Sequence, residues 1–184
     1  MFASALWGLD YMFALANVNI TRVNFHGGVG APYTPISYKG DTPDVRPLYY
    51  AMLAFSEATA NNSIVVNTTV TSTNELIKAW AVRDEANYER VVVVHKDLNS
   101  TQDCSVCVQS SQALHGPAAL VRLHVHAGDA HSKYGVHWAG QTFDDTQDGL
   151  PSGPRVEETV VPDSNCWTFQ LPPGTAAMLS LPLA

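Results

Sequence analysis

The sequence predicts a mainly β chain: an antiparallel β-sandwich preceded by a helix, a strand, a long loop and a second helix. The first sixty residues switch between helical and strand periodicity. From Asn61 onward β-branched residues, Ser, Thr and turn formers dominate, and no helical period persists. The composition is that of a folded, turn-rich chain: 46% apolar and 15% charged residues, with 12 Gly and 11 Pro among 184 residues. Two units are therefore expected, residues 1–60 and residues 61–184.

Ser4 stands where a helix N-cap belongs, and Leu6, Leu9, Phe13 and Ala14 recur at helical spacing, so a first helix is expected to end near Asn17. The apolar run from Ser4 to Val18 contains Asp10 and falls short of the roughly 18 uninterrupted apolar residues of a membrane span, so no span is expected. Ala14-Leu15-Ala16 imitates a signal-peptidase site, but no Lys or Arg precedes the run. From Ile20 to His26, Val23 and Phe25 alternate with Asn24 and His26, the pattern of a strand with one buried side, stopping at Gly27-Gly28. A loop rich in Gly, Pro and Tyr leads to Arg46. Pro47 then opens a second helix through Leu48, Met52, Phe55 and Ala58. These elements amount to one and a half α/β repeats, too few to close a sheet, so further repeats are expected upstream.

In the second unit nine short strands are expected: 64–69, 77–83, 88–95, 104–108, 120–126, 136–141, 156–161, 167–171 and 176–181. Turns fall at residues 84–87 and 97–100, at Gly128-Asp129 and Asp148-Gly149, and at Pro172-Pro173-Gly174. Cys104 and Cys107 lie three apart on a strand and so face opposite sides; either can bridge Cys166, and Cys107 with Cys166 is carried forward as the candidate disulfide. The CxxC spacing lacks the second pair that a zinc site needs. His124 and His126 share a strand face, with His131 and His137 nearby in sequence, but the glycine and glutamate spacing of a His-X-His metal motif is missing. Asp144, Asp145 and Asp148 fit a solvated Gly-rich turn, without an EF-hand pattern. Neither a metal nor another cofactor is expected. A net charge of −7, with 10 Lys plus Arg spread singly, offers no stripe for phosphates, so nucleic acid is not an expected partner.

The run from Phe2 to Tyr11, then Arg22-Val23-Asn24-Phe25-His26-Gly27-Gly28, Tyr33-Thr34-Pro35-Ile36 and Arg46-Pro47-Leu48-Tyr49-Tyr50-Ala51, resembles in order and spacing the closing barrel segment of glycoside hydrolase family 79, the β-glucuronidases and heparanase-like enzymes. Ala139-Gly140-Gln141-Thr142-Phe143, Asp148-Gly149, Gly153 and Ala176-Ala177-Met178 resemble that family's C-terminal β-domain. The resemblance implies a retaining hydrolase of β-glucuronides in which residues 1–60 are the last helix, strand and helix of a (β/α)8 barrel. The family's two catalytic glutamates, about 5 to 5.5 Å apart in a retaining enzyme, sit on earlier strands. No segment here matches them, so no catalytic residue is assigned and the chain is expected to be inactive alone.

The implied partners are the N-terminal remainder of the same enzyme and, through it, a glycan containing glucuronic acid. Barrel chemistry gathers at the C-terminal ends of strands, which places His26, Gly27, Gly28, Tyr33 and Tyr38 on the expected sugar-binding loop, with Tyr33 as the leading hydroxyl donor. Sequons at Asn19, Asn61, Asn67 and Asn99, together with the three cysteines, favour a secreted, extracellular glycoprotein. The alternative is a secreted, non-catalytic β-sandwich binding glycans or proteins, which would expose tryptophans such as Trp80, Trp138 or Trp167.

Overall fold

The computed structural model describes residues 1–28, 31, 34–86, 88–111, 116–126 and 129–182. Helix α1 spans Ala3–Ala16 and helix α2 spans Pro47–Ala58. The apolar run that imitates a signal segment is thus a core helix, burying Ala5, Leu6, Leu9, Met12 and Phe13. Ser4 is not its N-cap: it lies in the first turn, and its hydroxyl donates to the Met1 carbonyl at 2.8 Å. The orphan amides of Phe2 and Ala3 instead donate to the carbonyls of Ser132 and Ala130, at 2.7 and 2.9 Å, which ties the helix start to a distant loop. Pro47 opens α2 as expected, where its missing N–H costs nothing. The two helices lie close because Gly8 has no side chain; a Cβ there would sit 2.5 Å from Leu48 Cδ1.

The segment from Ile20 to His26 departs from expectation. It forms no strand, and Thr21 to Gly27 make no backbone hydrogen bond to another described residue. A strand is defined by a neighbour, and among the described residues none runs beside it. The loop that follows contains a hairpin missing from the sequence reading, β1 (Ile36–Lys39) paired with β2 (Thr42–Val45) across Gly40-Asp41. Gly40, at φ +65°, supplies the left-handed conformation that the turn requires.

The remaining strands are β3 (Ile64–Val66), β4 (Ile77–Arg83), β5 (Tyr88–His95), β6 (Cys104–Val108), β7 (Ala118–Val125), β8 (Val136–Trp138), β9 (Glu158–Val160), β10 (Trp167–Leu171) and β11 (Thr175–Pro182). All their pairings are antiparallel. Among the described residues, seven strands form one sheet in the order β3-β4-β5-β11-β7-β8, with β9 beside β7, while β10 and β6 form a second sheet. The C-terminal strand sits mid-sheet between β5 and β7.

Strand alternation divides the interior into two cores. Val92 and Val94 of β5 pack with Leu6, Leu9, Phe13 and Ala54 of the helices, whereas Val91 and Val93 pack with Trp167, Phe169 and Leu171 of β10. The unbroken run Val91–Val94 therefore marks a strand covered on both faces. The architecture is three layers: two helices, the seven-stranded sheet, and the two-stranded sheet. Three polar ties fasten helices to sheet and loops. Asp10 accepts from Trp80 Nε1 at 2.9 Å and pairs with Lys96; Glu57 accepts from Trp138 Nε1 at 2.6 Å and pairs with Arg155; Tyr50 meets Thr142 and Phe143.

Candidate functional site

His26, Gly27 and Gly28 lie at the end of the unpaired extended segment and are exposed. A Cβ on Gly27 would come within 3.9 Å of Thr34 Oγ1, so the beginning and end of the loop approach each other there. Thr34 is buried and its hydroxyl donates to the Ile36 carbonyl, which braces the entry to β1. Tyr38, on β1, is 51% exposed, and its hydroxyl has no hydrogen-bond partner among the described residues. Tyr33 lies outside the described residues. No hydrogen bond or ring contact joins His26 to Tyr38. At the far side of the hairpin Asp44 pairs with Arg46 at 3.0 Å, just before α2. The rim therefore presents an imidazole, a phenol and exposed glycine backbone. These groups can donate hydrogen bonds to a polar ligand but contain no acid and base pair for bond cleavage.

Several carboxylates elsewhere are occupied with holding the fold. Burial pushes the Asp84 carboxyl up, but hydrogen bonds from the Tyr88 amide, Arg90 and Asn61 outweigh it and leave its pKa lowered. Asp97 is lowered chiefly by Asn74 and then by the Asn99 amide, and Glu158 by its hydrogen bonds from Arg122. All three shifts run away from the raised pKa that a glycosidase acid needs. Asp144 accepts from the Gly135 amide and Asp148 from the Leu150 amide, so both are turn residues, and Glu157 pairs with Arg155.

The histidines gather only in part. His124 and His137 stack across β7 and β8 with ring centroids 5.3 Å apart, and His126 lies 6.4 Å from His137. His131 is elsewhere, its Nδ1 3.4 Å from the Met1 sulfur. Among the described residues no group of three or more His, Cys, Asp or Glu is placed to hold a metal ion. Burial, followed by the charge of His137, lowers the His124 pKa. Cys107 and Cys166 are bonded, with Cα atoms 5.5 Å apart, while Cys104 is free. All four sequon asparagines are exposed.

Of the tryptophans, Trp138 and Trp167 are buried, and Trp80 is partly covered beneath Asp10. The exposed one is Trp7, on α1. It stacks on Tyr11 at 5.1 Å and meets the edge of Phe25 at 6.1 Å. With Val18 and Ile20 also exposed, the outer side of α1 and the extended segment after it form an aromatic and aliphatic face that no described residue covers. Sequence periodicity located the buried side of α1; the signal for this second side was the apolar character of the helix all round.

The fold is shared with solved structures of glycoside hydrolases at low sequence identity. The α-L-arabinofuranosidase of Thermotoga maritima matches 97% of this chain over 38% of its own length, at 13% identity and a TM-score of 0.65. The GH51 α-L-arabinofuranosidase of Thermotoga petrophila matches 96% over 37%, at 12% identity and 0.69. A 4-O-α-L-rhamnosyl-β-D-glucuronidase of Fusarium oxysporum matches 85% over 34%, at 17% identity and 0.54. The chain thus spans little more than a third of the length of these proteins. A comparison with curated protein sequences returned no match. Residues 79–178, running from β4 into β11, match the model of the glycosyl hydrolase family 79 C-terminal beta domain, and the chain belongs to that family.

Proposed function

We propose that this β-domain completes a secreted, retaining β-glucuronidase-like glycoside hydrolase. In this reading residues 1–60 close a (β/α)8 barrel supplied by the rest of the polypeptide, residues 61–184 brace it, and the loop from His26 to Tyr38 borders the glucuronate site. The chain contributes binding and support, and the catalytic glutamates come from the barrel strands outside it. The observation that carries this reading is the uncovered face of Trp7, Tyr11 and Phe25 beside a segment, Thr21 to Gly27, whose backbone groups have no backbone partner among the described residues. An exposed apolar patch and a free row of amides and carbonyls are costly in water, and both are satisfied by a flanking helix and parallel strands. The buried positions of Trp138 and Trp167 keep these two rings from serving as a surface platform for a glycan, which favours this reading over an independent glycan-binding sandwich.

The test is hydrolysis by the complete polypeptide of a p-nitrophenyl β-D-glucuronide and an α-L-arabinofuranoside, with the first-formed anomer followed by NMR. Release from the glucuronide with retention, and none by residues 1–184 alone, is expected. Preference for the arabinofuranoside would overturn the sugar assignment, and activity in residues 1–184 alone would overturn the division of labour.

A further inference from the structure

We infer that His124 of β7 and His137 of β8 chelate a divalent late transition metal, Zn2+ or Cu2+, and that His126 closes over it as a third ligand. His124 and His137 are direct partners in the antiparallel register. Their rings lie face to face, with centroids 5.3 Å apart and planes 13° from parallel. A metal held about 2.0–2.1 Å from one nitrogen of each imidazole, at a tetrahedral angle, sets the two centroids roughly 5 Å apart. The strand pairing therefore already holds this pair at chelating separation, so binding need not order it again. The ladder continues past β7 through the His126 amide, which donates to the Gly135 carbonyl at 2.8 Å, so His126 follows His124 on the same face. Its ring lies 6.4 Å from that of His137, too far to share the ion as the rings stand, and its exposed side chain closes the gap by a change of rotamer.

The ring nitrogens are arranged for this. His137 Nδ1 lies 3.0 Å from the Gly135 carbonyl oxygen, which can only accept, so the proton sits on Nδ1 and the lone pair on Nε2. A ring nitrogen of His124 is likewise engaged by the Val125 backbone, leaving the other for the ion. Metal-binding histidines are typically held in this way, one nitrogen donating to a carbonyl while the other ligates. Arg122, two residues before His124 on the same face, is paired with Glu158 and so does not oppose the ion with a free charge. An all-imidazole donor set suits Zn2+ or Cu2+, whereas Ca2+ and Mg2+ take oxygen. The flanking Leu123, Val125, Val136 and Trp138 pack in the core shared with the helices, which puts the histidines on the other side of the sheet. The site is thus independent of the barrel reading. A bound ion would pin β8 to β7, and with them the connection whose Ala130 and Ser132 carbonyls take the first amides of α1.

Titration of the complete, untagged polypeptide with Zn2+ and with Cu2+ tests the site, read by calorimetry, by melting and, for Cu2+, by electron paramagnetic resonance. The wild type should bind one ion that the double variant of His124→Gln and His137→Gln does not, with imidazole nitrogen coupling in the Cu2+ spectrum and a melting point that rises with metal. Each single substitution should weaken binding at least as much as the roughly 10–100-fold that removal of a ligand's outer partner costs. His126→Gln should weaken it less, and His131→Gln, whose ring lies apart against the Met1 sulfur, should leave it unchanged. Melting each variant without metal separates a lost ligand from a lost fold. The wild type gives a second readout that needs no variant: bound Zn2+ should shield His124 and His137 from diethyl pyrocarbonate while His131 stays reactive. Undiminished binding by the double variant, or equal modification of His124 and His137 with and without Zn2+, would overturn the inference.

Discussion

Tyr50→Phe measures how firmly the helical layer is held to the sandwich. Tyr50 is 1% exposed on α2, and its phenol oxygen accepts the Phe143 amide at 2.7 Å and lies 3.1 Å from Thr142 Oγ1. Burial raises its pKa, so the hydroxyl is neutral over the ordinary working range. Phenylalanine keeps the ring and its edge-on contact with Phe143 at 5.5 Å, so no cavity opens. What is lost is the acceptor, and the buried Phe143 amide is left unpaired, at a cost of about 1–3 kcal/mol. For a chain of this size that corresponds to a melting shift of roughly 2–10 °C. Urea and thermal unfolding of the wild type, Y50F, Thr142→Val and the double variant would give both the loss and the coupling. A Y50F midpoint within about 0.3 kcal/mol of wild type, at unchanged m-value, would refute the idea that this buried bond links the layers.

Glu57→Ala removes the acceptor of Trp138 Nε1 and the partner of Arg155, so a loss of about 1–3 kcal/mol is expected, with a change in tryptophan emission that Arg155→Ala produces only weakly. Lowered in the fold, the His124 pKa makes the unfolded chain bind more protons, so its contribution is complete above an ordinary imidazole's 6.5 and is lost as pH falls through the folded value. Unfolding midpoints should therefore drop between pH 7.5 and 5, and His124→Gln should flatten that slope; an unchanged slope would contradict the assignment. Asn61 already donates to Asp84 at 3.3 Å, whereas among the described residues no side-chain hydrogen bond holds Asn67 or Asn99. Glycopeptide mapping of protein expressed through a eukaryotic secretory pathway should find Asn67 and Asn99 occupied and Asn61 bare.

Local pattern was enough for four of the strands. The strands expected at 77–83, 88–95, 104–108 and 167–171 have those bounds, because alternation, β-branched residues and flanking turns all agree there. The strand expected at 136–141 stops at Trp138, since Ala139 and Gly140, at φ +50° and +78°, make a tight turn that returns the chain to Gln141. The hairpin of β1 and β2 was legible in principle: Gly40-Asp41 between two short alternating runs is a two-residue turn signal, obscured by Pro43 and by the glycines upstream. The polar ties of Asp10 and Glu57 left no such trace, since a carboxylate on a helix gives no sign of which distant tryptophan it will meet.

The segment from Thr21 to His26 and the edge of β6 turned away from β10, neither with a strand beside it among the described residues, have one physical origin. Strand alternation records which face of a segment is to be buried, and both segments carry it: Val23 and Phe25 in the first, Val106 and Val108 in the second. Alternation says nothing about which strand will lie alongside, because pairing uses backbone groups that every residue possesses. A sequence can therefore specify a strand whose neighbour lies elsewhere in the polypeptide, and the mark of that condition is a face that is partly buried beside an edge that is empty. At β6 the face is covered by the large sheet while, among the described residues, one edge lies beside a groove. At Ile20–His26 the aromatic contact of Phe25 with Trp7 and Tyr11 covers part of one face while the backbone is bare.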